Sequence, residues 1–210
     1  QVAEGIVEKA DASKQYTDRE DVVVHYLPHH FVKSESSGKL RIVYEGCAKT
    51  FKSNKSLNEC LFRGENMIAS LVGILIRFRM KRIGIVADIE KAYLQLELNP
   101  KERDVTRFLW LKDISKPFSK DNVEEYRFCR VIWGIVCSAF LLASVIMYHL
   151  SKYKNWVADD ILKNIYVDNL ISGVDKTDSV KYYGETKKMV GDASMNVRQW
   201  ASSDRNLMKS

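Results

Sequence analysis

Two acids stand out by type and setting. Asp88 closes an apolar run in Ile85-Val-Ala-Asp88-Ile-Glu-Lys-Ala-Tyr93, where a carboxylate is costly unless a partner or metal compensates its charge. In Tyr166-Val-Asp168-Asn169, a polar pair with β-rich residues on both sides suits the turn of a hairpin. Each alone has a plain structural use, Asp88 as a helix cap and Asp168-Asn169 as a turn. Together they say more, because a sheet can bring two strand ends side by side and two adjacent carboxylates repel unless a cation lies between them. Magnesium suits hard oxygen ligands and usually binds one or two carboxylates together with substrate phosphates. The chemistry expected of the pair is phosphoryl transfer with two Mg2+ ions, Mn2+ being the substitute. One ion activates the attacking oxygen and the other steadies the leaving pyrophosphate.

The elements that must position these acids follow from periodicity and turn chemistry. Met67, Leu71, Leu75 and Phe78 recur at helical spacing after Gly64, which predicts an amphipathic helix over 65–79 and then a buried strand over 83–89. Asn99-Pro100-Lys-Glu102 combines a cap, a proline at the first helical position and an acid in the first turn, and so starts a short helix. Strands are predicted over 106–111 and 126–132, joined by a charged flexible tip at 112–125; residues 34–39 form a second such tip. Ser138 is placed to cap a helix running to about Lys154, with Phe140, Leu142, Ile146 and Leu150 on the face that packs on a sheet. A hairpin over 165–174, a helix from Asp178 to near Gly191 and a strand over 197–200 complete the chain. This irregular alternation predicts an α+β fold, helices layered on a largely antiparallel sheet.

Composition bounds the partners. With 210 residues, 46% of them hydrophobic, the chain can bury a core in one domain or a two-lobed one. A net charge of +6 is compatible with a polyanion. The apolar runs at 71–76 and 132–146 are interrupted or too short for the ~20 residues of a membrane helix, so no membrane association is expected. The chain opens on Gln1 without a leader, which predicts an intracellular segment of a longer polypeptide. Cys47, Cys60, Cys129 and Cys137 lack zinc-site spacing and are expected as free thiols. Pro28 opposes a helix that would align His25 with His29, and 26–30 reads as an extended loop.

The order of Asp88-x4-Tyr93 and Tyr166-x-Asp168 resembles that of reverse transcriptases. The likeness extends over nearly the whole chain. Tyr26-Leu-Pro-His-His30, Lys39-Leu-Arg-Ile-Val43, Ser56-Leu-Asn58, Arg77-Phe-Arg79, Ala87-Asp-Ile-Glu-Lys91, Arg103-Asp-Val-Thr-Arg-Phe-Leu-Trp110 and Tyr166-Val-Asp-Asn-Leu-Ile-Ser-Gly173 together resemble the Pao/BEL branch of long-terminal-repeat retrotransposons.

The resemblance implies an RNA-directed DNA polymerase domain of right-hand shape. Fingers would span approximately 1–64 and 96–137, and a palm with an antiparallel sheet flanked by helices approximately 65–95 and 138–210. The thumb would be missing or truncated. It implies Asp88 and Asp168 as metal ligands and Tyr93 as the gate that favours deoxynucleoside triphosphates over ribonucleotides. Lys33 and Arg41 would neutralise the incoming triphosphate, and Gly134 would let the backbone approach the nucleotide. Tyr166, Arg198 and Trp200 would contact the primer and the RNA or DNA template. Ala139 and Glu45 replace the usual Pro and Asp, both mild changes. Asn169 is the serious departure, because it stands where the family has a second hairpin Asp and so removes a full negative charge. Depressed or absent polymerase activity is expected. The alternative is a catalytically inactive, element-derived domain that still grips nucleic acid through basic residues. An unrelated nuclease with paired acids would leave Tyr93, Arg41 and the Gly134 segment unexplained.

Overall fold

The computed structural model describes residues 1–10, 23–35, 38–205 and 207; the centre of the tip expected over 34–39 lies outside the described residues. Along the chain run β1 (Val7–Lys9), β2 (His29–Lys33), β3 (Leu40–Tyr44), α1 (Leu57–Cys60), α2 (Leu71–Met80), β4 (Ile83–Ile89), β5 (Arg107–Leu111) and β6 (Val123–Phe128). There follow α3 (Ser138–Leu150), α4 (Trp156–Asn164), β7 (Ile165–Tyr166), β8 (Asn169–Val174), α5 (Ser179–Asp192) and β9 (Val197–Ser202). Every pairing between these strands is antiparallel, so the architecture is mixed helix and antiparallel sheet. Among the described residues, no helix is long and apolar enough to cross a membrane. The chain divides into two compact units, Gln1–Arg63 with Leu96–Ser138 and Gly64–Gln95 with Ala139–Ser210.

The first unit holds a sheet of order β1-β6-β5 and the separate ribbon β2-β3. Its aromatic core sets Tyr44 edge-on to Phe128 at 4.8 Å and Phe108 against Phe128 at 5.1 Å. Burial pushes the Tyr44 hydroxyl up to about 12. Arg107 is buried, a placement that requires compensation; Asp104 at 2.8 Å and Glu125 at 3.0 Å supply it. The charged stretch between β5 and β6 is tied down. Buried Asn122 donates to the carbonyls of Asp113 (3.0 Å) and Pro117 (3.2 Å) and accepts from the Asp113 amide at 3.0 Å. Those bonds satisfy the buried amide and tie the segment to the start of β6, and β6 begins at Val123, earlier than the pattern predicts.

In the second unit the sheet order is β7-β8-β4-β9, so β4 is flanked on both sides. Ile85, Ala87 and Ile89 are buried and alternate with Val86 and Asp88 on the other face. Helix α2 starts at Leu71 instead of residue 65. The Asn66 side chain accepts from the Ile68 amide at 3.2 Å, a local turn that competes with helix, and Ser70 then caps α2 by accepting from Gly73. Helix α3 ends at Leu150, short of Lys154. Asn155 caps α4, an element the periodicity does not predict, by accepting from Ala158 at 2.9 Å, and Val157, Ala158 and Ile161 are buried.

A polar network stitches these layers together. Asp160 on α4 accepts from Ser172 on β8, from Tyr182 on α5 at 2.8 Å and from Asn164 at 2.9 Å, while Arg77 on α2 donates to Asn164 at 2.9 Å. Burial first, and then the Asp160 charge, hold the Tyr182 hydroxyl well above its ordinary range.

Gly84 and Gly173 face each other across β4 and β8, where α2 lies close to the sheet. A Cβ at Gly84 would come 2.6 Å from the Phe78 ring, and one at Gly173 would come 2.9 Å from the Phe78 carbonyl oxygen. Gly173→Ala is therefore expected to destabilise the fold by roughly 1–3 kcal/mol through overpacking. Gly184→Ala, in open space on α5, is expected to stabilise it by about 0.5–1 kcal/mol. Denaturant midpoints should move in opposite directions for the two variants.

Candidate active site

The register of the sheet creates the site. β4 and β8 pair without interruption from Ile83↔Val174 to Asp88↔Asn169, which delivers Asp88 beside the β7–β8 turn. That turn is Val167-Asp168, closed by the pair Tyr166↔Asn169. It lies one residue earlier than the expected Asp168-Asn169, and Asn169 opens β8. The shift follows from the Tyr166↔Asn169 pairing, which leaves Val167, at φ 59°, in the positive first position of a tight hairpin turn. A β-branched residue there is strained by about 1–3 kcal/mol. The Ile89 amide donates to the Asp168 carbonyl at 2.8 Å and fastens the turn to β4.

Asp88 and Asp168 are thereby brought together. Desolvation raises the Asp168 pKa, and the Asp88 charge raises it further. Its own backbone amide and the Asn169 side chain, which donates to Asp168 Oδ1 at 2.8 Å, oppose the rise. Tyr93 follows in the 3-10 turn Ala92–Gln95 and is only 4% exposed. Burial and then the Asp168 charge raise its pKa, so the ring lies within reach of that charge. Tyr166 is half-buried beside the turn.

β9 borders β4 with Asp88↔Arg198 and Ile89↔Val197 in register and a bulge between Val86 and Asp88. Gln199, at φ 52°, absorbs it. Arg198 Nε stands 3.5 Å from Asp88 Oδ2, and its Nη1 is 2.9 Å from Glu90 Oε1. Arg198 is not a buried partner that cancels Asp88: it is 43% exposed, and it sits nearer Glu90. Trp200 stacks edge-on against Tyr183 of α5 at 4.6 Å and donates its indole N–H to the Val197 carbonyl at 3.1 Å, a packing role within this unit.

Three residues singled out by the resemblance lie in the first unit. Lys33 and Arg41 are exposed on the β2-β3 ribbon, where Lys33 pairs with Leu40 and Arg41 with Val32. Alternation therefore sends their side chains from opposite faces. Gly134 has φ 89°, and a Cβ on it would meet the Tyr44 carbonyl oxygen at 2.8 Å, so the fold itself requires glycine there. Asn58 clasps the segment, donating to the Gly134 carbonyl at 2.8 Å and accepting from the Val136 amide at 2.9 Å.

Among the described residues, no group of three or more His, Cys, Asp or Glu side chains converges to hold a metal. Two adjacent, partly exposed carboxylates, one with its pKa raised by burial and by its neighbour's charge, nevertheless fit a divalent ion that also takes oxygens from a phosphate-bearing ligand. Residue patterns did not single out Glu90 or the strained Val167. The signal for Glu90 was available: it lies two residues after Asp88 and so shares its face by strand periodicity.

No family model matches the chain, and no curated protein matches it. Its fold does match solved structures. One is the prototype foamy virus protease-reverse transcriptase, with TM-score 0.66 at 15% identity over 93% of this chain and 21% of that one. A second is the foamy viral protease-reverse transcriptase dRH in complex with double-stranded DNA, with TM-score 0.65 at 16% identity over 93% and 28%. A third, the same viral enzyme in complex with an RNA/DNA hybrid, gives 0.65 at 14% identity over 95% and 22%. The fold is therefore reverse transcriptase-like. The chain spans between 21% and 28% of the length of these three proteins.

The raised Asp168 pKa fixes the sign of a stability measurement. Such a carboxyl contributes stability while protonated, below its unfolded pKa, and that contribution is lost as pH rises through the folded value. Asp168→Asn, which keeps an acceptor for the Asn169 amide, is expected to raise the melting temperature of the ligand-free protein at pH 7. The gain should shrink as pH falls into the carboxylate range. A gain independent of pH would contradict the raised Asp168 pKa.

Proposed function

We propose that this chain is the reverse transcriptase domain of a Pao/BEL-type retrotransposon, an RNA-directed DNA polymerase whose activity Asn169 depresses. The observation that carries the proposal is the juxtaposition of Asp88 and Asp168 at the end of an antiparallel sheet. On this reading the second unit is the palm and the first the fingers. The solved relatives in complex with double-stranded DNA and with an RNA/DNA hybrid support a primer-template duplex as the partner.

Asp88 and Asp168 would hold Mg2+ together with the phosphates of a deoxynucleoside triphosphate. When bound, the metal supplies Lewis-acid activation of the primer hydroxyl and stabilisation of the pyrophosphate leaving group. The Tyr166–Asn169 pairing and the Ile89–Asp168 hydrogen bond hold the turn that carries Asp168 in place before substrate arrives. Tyr93, buried beside the pair, would stand against a 2′-hydroxyl. The roles that the resemblance gives Lys33, Arg41, Gly134, Tyr166, Arg198 and Trp200 belong to the same proposal.

Asn169 keeps an oxygen but brings no charge, and its amide is engaged with Asp168. That contact favours a second reading, a domain that binds nucleic acid and no longer polymerises. Mg2+-dependent primer extension by the protein and by Asn169→Asp separates the two. The variant should be faster by at least about tenfold, equivalent to roughly 1.4 kcal/mol of barrier; equal rates would refute the role given to Asn169. In the active variant, Tyr93→Ala is expected to raise ribonucleotide incorporation relative to deoxynucleotide incorporation, measured with competing triphosphates.

A further inference from the structure

The side of the acid pair formed by β9 carries a charge arrangement that goes beyond the primer contact given to Arg198. Arg198 faces Asp88 across the ladder and reaches two carboxylates at once, Nε toward Asp88 at 3.5 Å and Nη1 toward Glu90 at 2.9 Å. Glu90 is itself fixed. Its Oε2 accepts from the Asn196 side chain at 2.9 Å, and its backbone amide donates to the Asn196 carbonyl at 2.8 Å. The bulge that aims Arg198 this way requires a left-handed conformation at Gln199, which a non-glycine residue adopts at a cost.

We propose that Arg198 is a resident counter-cation of the acid pair, a positioning residue that partly screens Asp88 in the ligand-free protein and that Glu90 draws aside when a divalent ion takes its place. The inference rests on the metal-binding role given to Asp88 under the proposed function. The guanidinium suits the task because its rigid fork spans two carboxylates, which one ammonium does not. Its tighter contact is already with Glu90, and its partial exposure leaves it room to move. Arg198 and the metal therefore compete for one carboxylate, and Glu90 weakens Arg198 in that competition. The result is a site that folds with Asp88 partly screened and still binds an ion delivered with substrate.

Mn2+ binding to the full chain without nucleotide or nucleic acid, followed by electron paramagnetic resonance of the free ion, tests this without reference to activity. Arg198→Ala is expected to tighten binding roughly two- to fivefold, the size of one partly exposed charge interaction. Arg198→Lys, which keeps the charge but loses the fork, should bind no more tightly than the unaltered protein. Glu90→Gln should weaken binding by a larger factor when Arg198 is present than in the Arg198→Ala background, because only then does it release a competitor. Unchanged or weaker binding in Arg198→Ala, or equal effects of Glu90→Gln in both backgrounds, would overturn the proposal while Asp88→Asn still abolishes binding. If Asp88→Asn leaves Mn2+ binding intact, the metal reading of the site fails, and this inference with it.

Discussion

Two like charges held side by side are the constraint around which the second unit is arranged. The β4–β8 register fixes the backbone of Asp88 opposite that of Asn169, and the Ile89–Asp168 hydrogen bond prevents the hairpin tip from turning away. Neither acid is buried against a base. Repulsion is instead distributed: burial and Asp88 push the Asp168 carboxyl toward its neutral form, the Asn169 amide relieves one oxygen, and Arg198 shares itself between Asp88 and Glu90. A site arranged in this way stores unfavourable electrostatics that a divalent ion can relieve, which is the physical meaning of preorganisation here.

The rest of the second unit resists that stored cost. Tyr182, Ser172, Asn164 and Arg77 converge on the α4 carboxylate of Asp160 or on its amide neighbour and lock three helices to β8. Gly84 and Gly173 allow α2 to approach the same strands. Of the four described non-glycine residues at positive φ, Val167 and Gln199 lie on a turn and a bulge that bear on the acids, Lys91 follows β4 and Ser194 follows α5, while α2 and α4 carry ordinary side-chain caps. Strain is local, and support comes from packing.

Much of this was legible in residue order because it depends on local rules. The alternation of buried Ile85, Ala87 and Ile89 with Asp88 marks β4 to the residue, and Asn99-Pro100 marks the start of the following helical turn, since cap and proline act within one turn. What escaped were choices settled by competing or distant contacts. The Asn66 side chain cancelled the first turn of α2. Asn155 began a new helix where apolar spacing alone made α3 look longer. The hairpin turn moved one residue because Asn169 pairs with Tyr166, a pairing that propensity at Asp168-Asn169 cannot reveal. Gly134 shows the reverse case. Its freedom from a side chain is demanded by the Tyr44 carbonyl, so a residue picked out for a ligand already has a folding role.

On the proposed function, positions 88 and 168 share a divalent ion with a nucleotide's phosphates. Anomalous diffraction from crystals grown with Mn2+ and a deoxynucleoside triphosphate measures it most directly. An anomalous peak in contact with both carboxylates and with triphosphate oxygens is expected, with Arg198 drawn toward Glu90. Triphosphate bound elsewhere, or Asp88 still held by Arg198 with no peak between the acids, would contradict it.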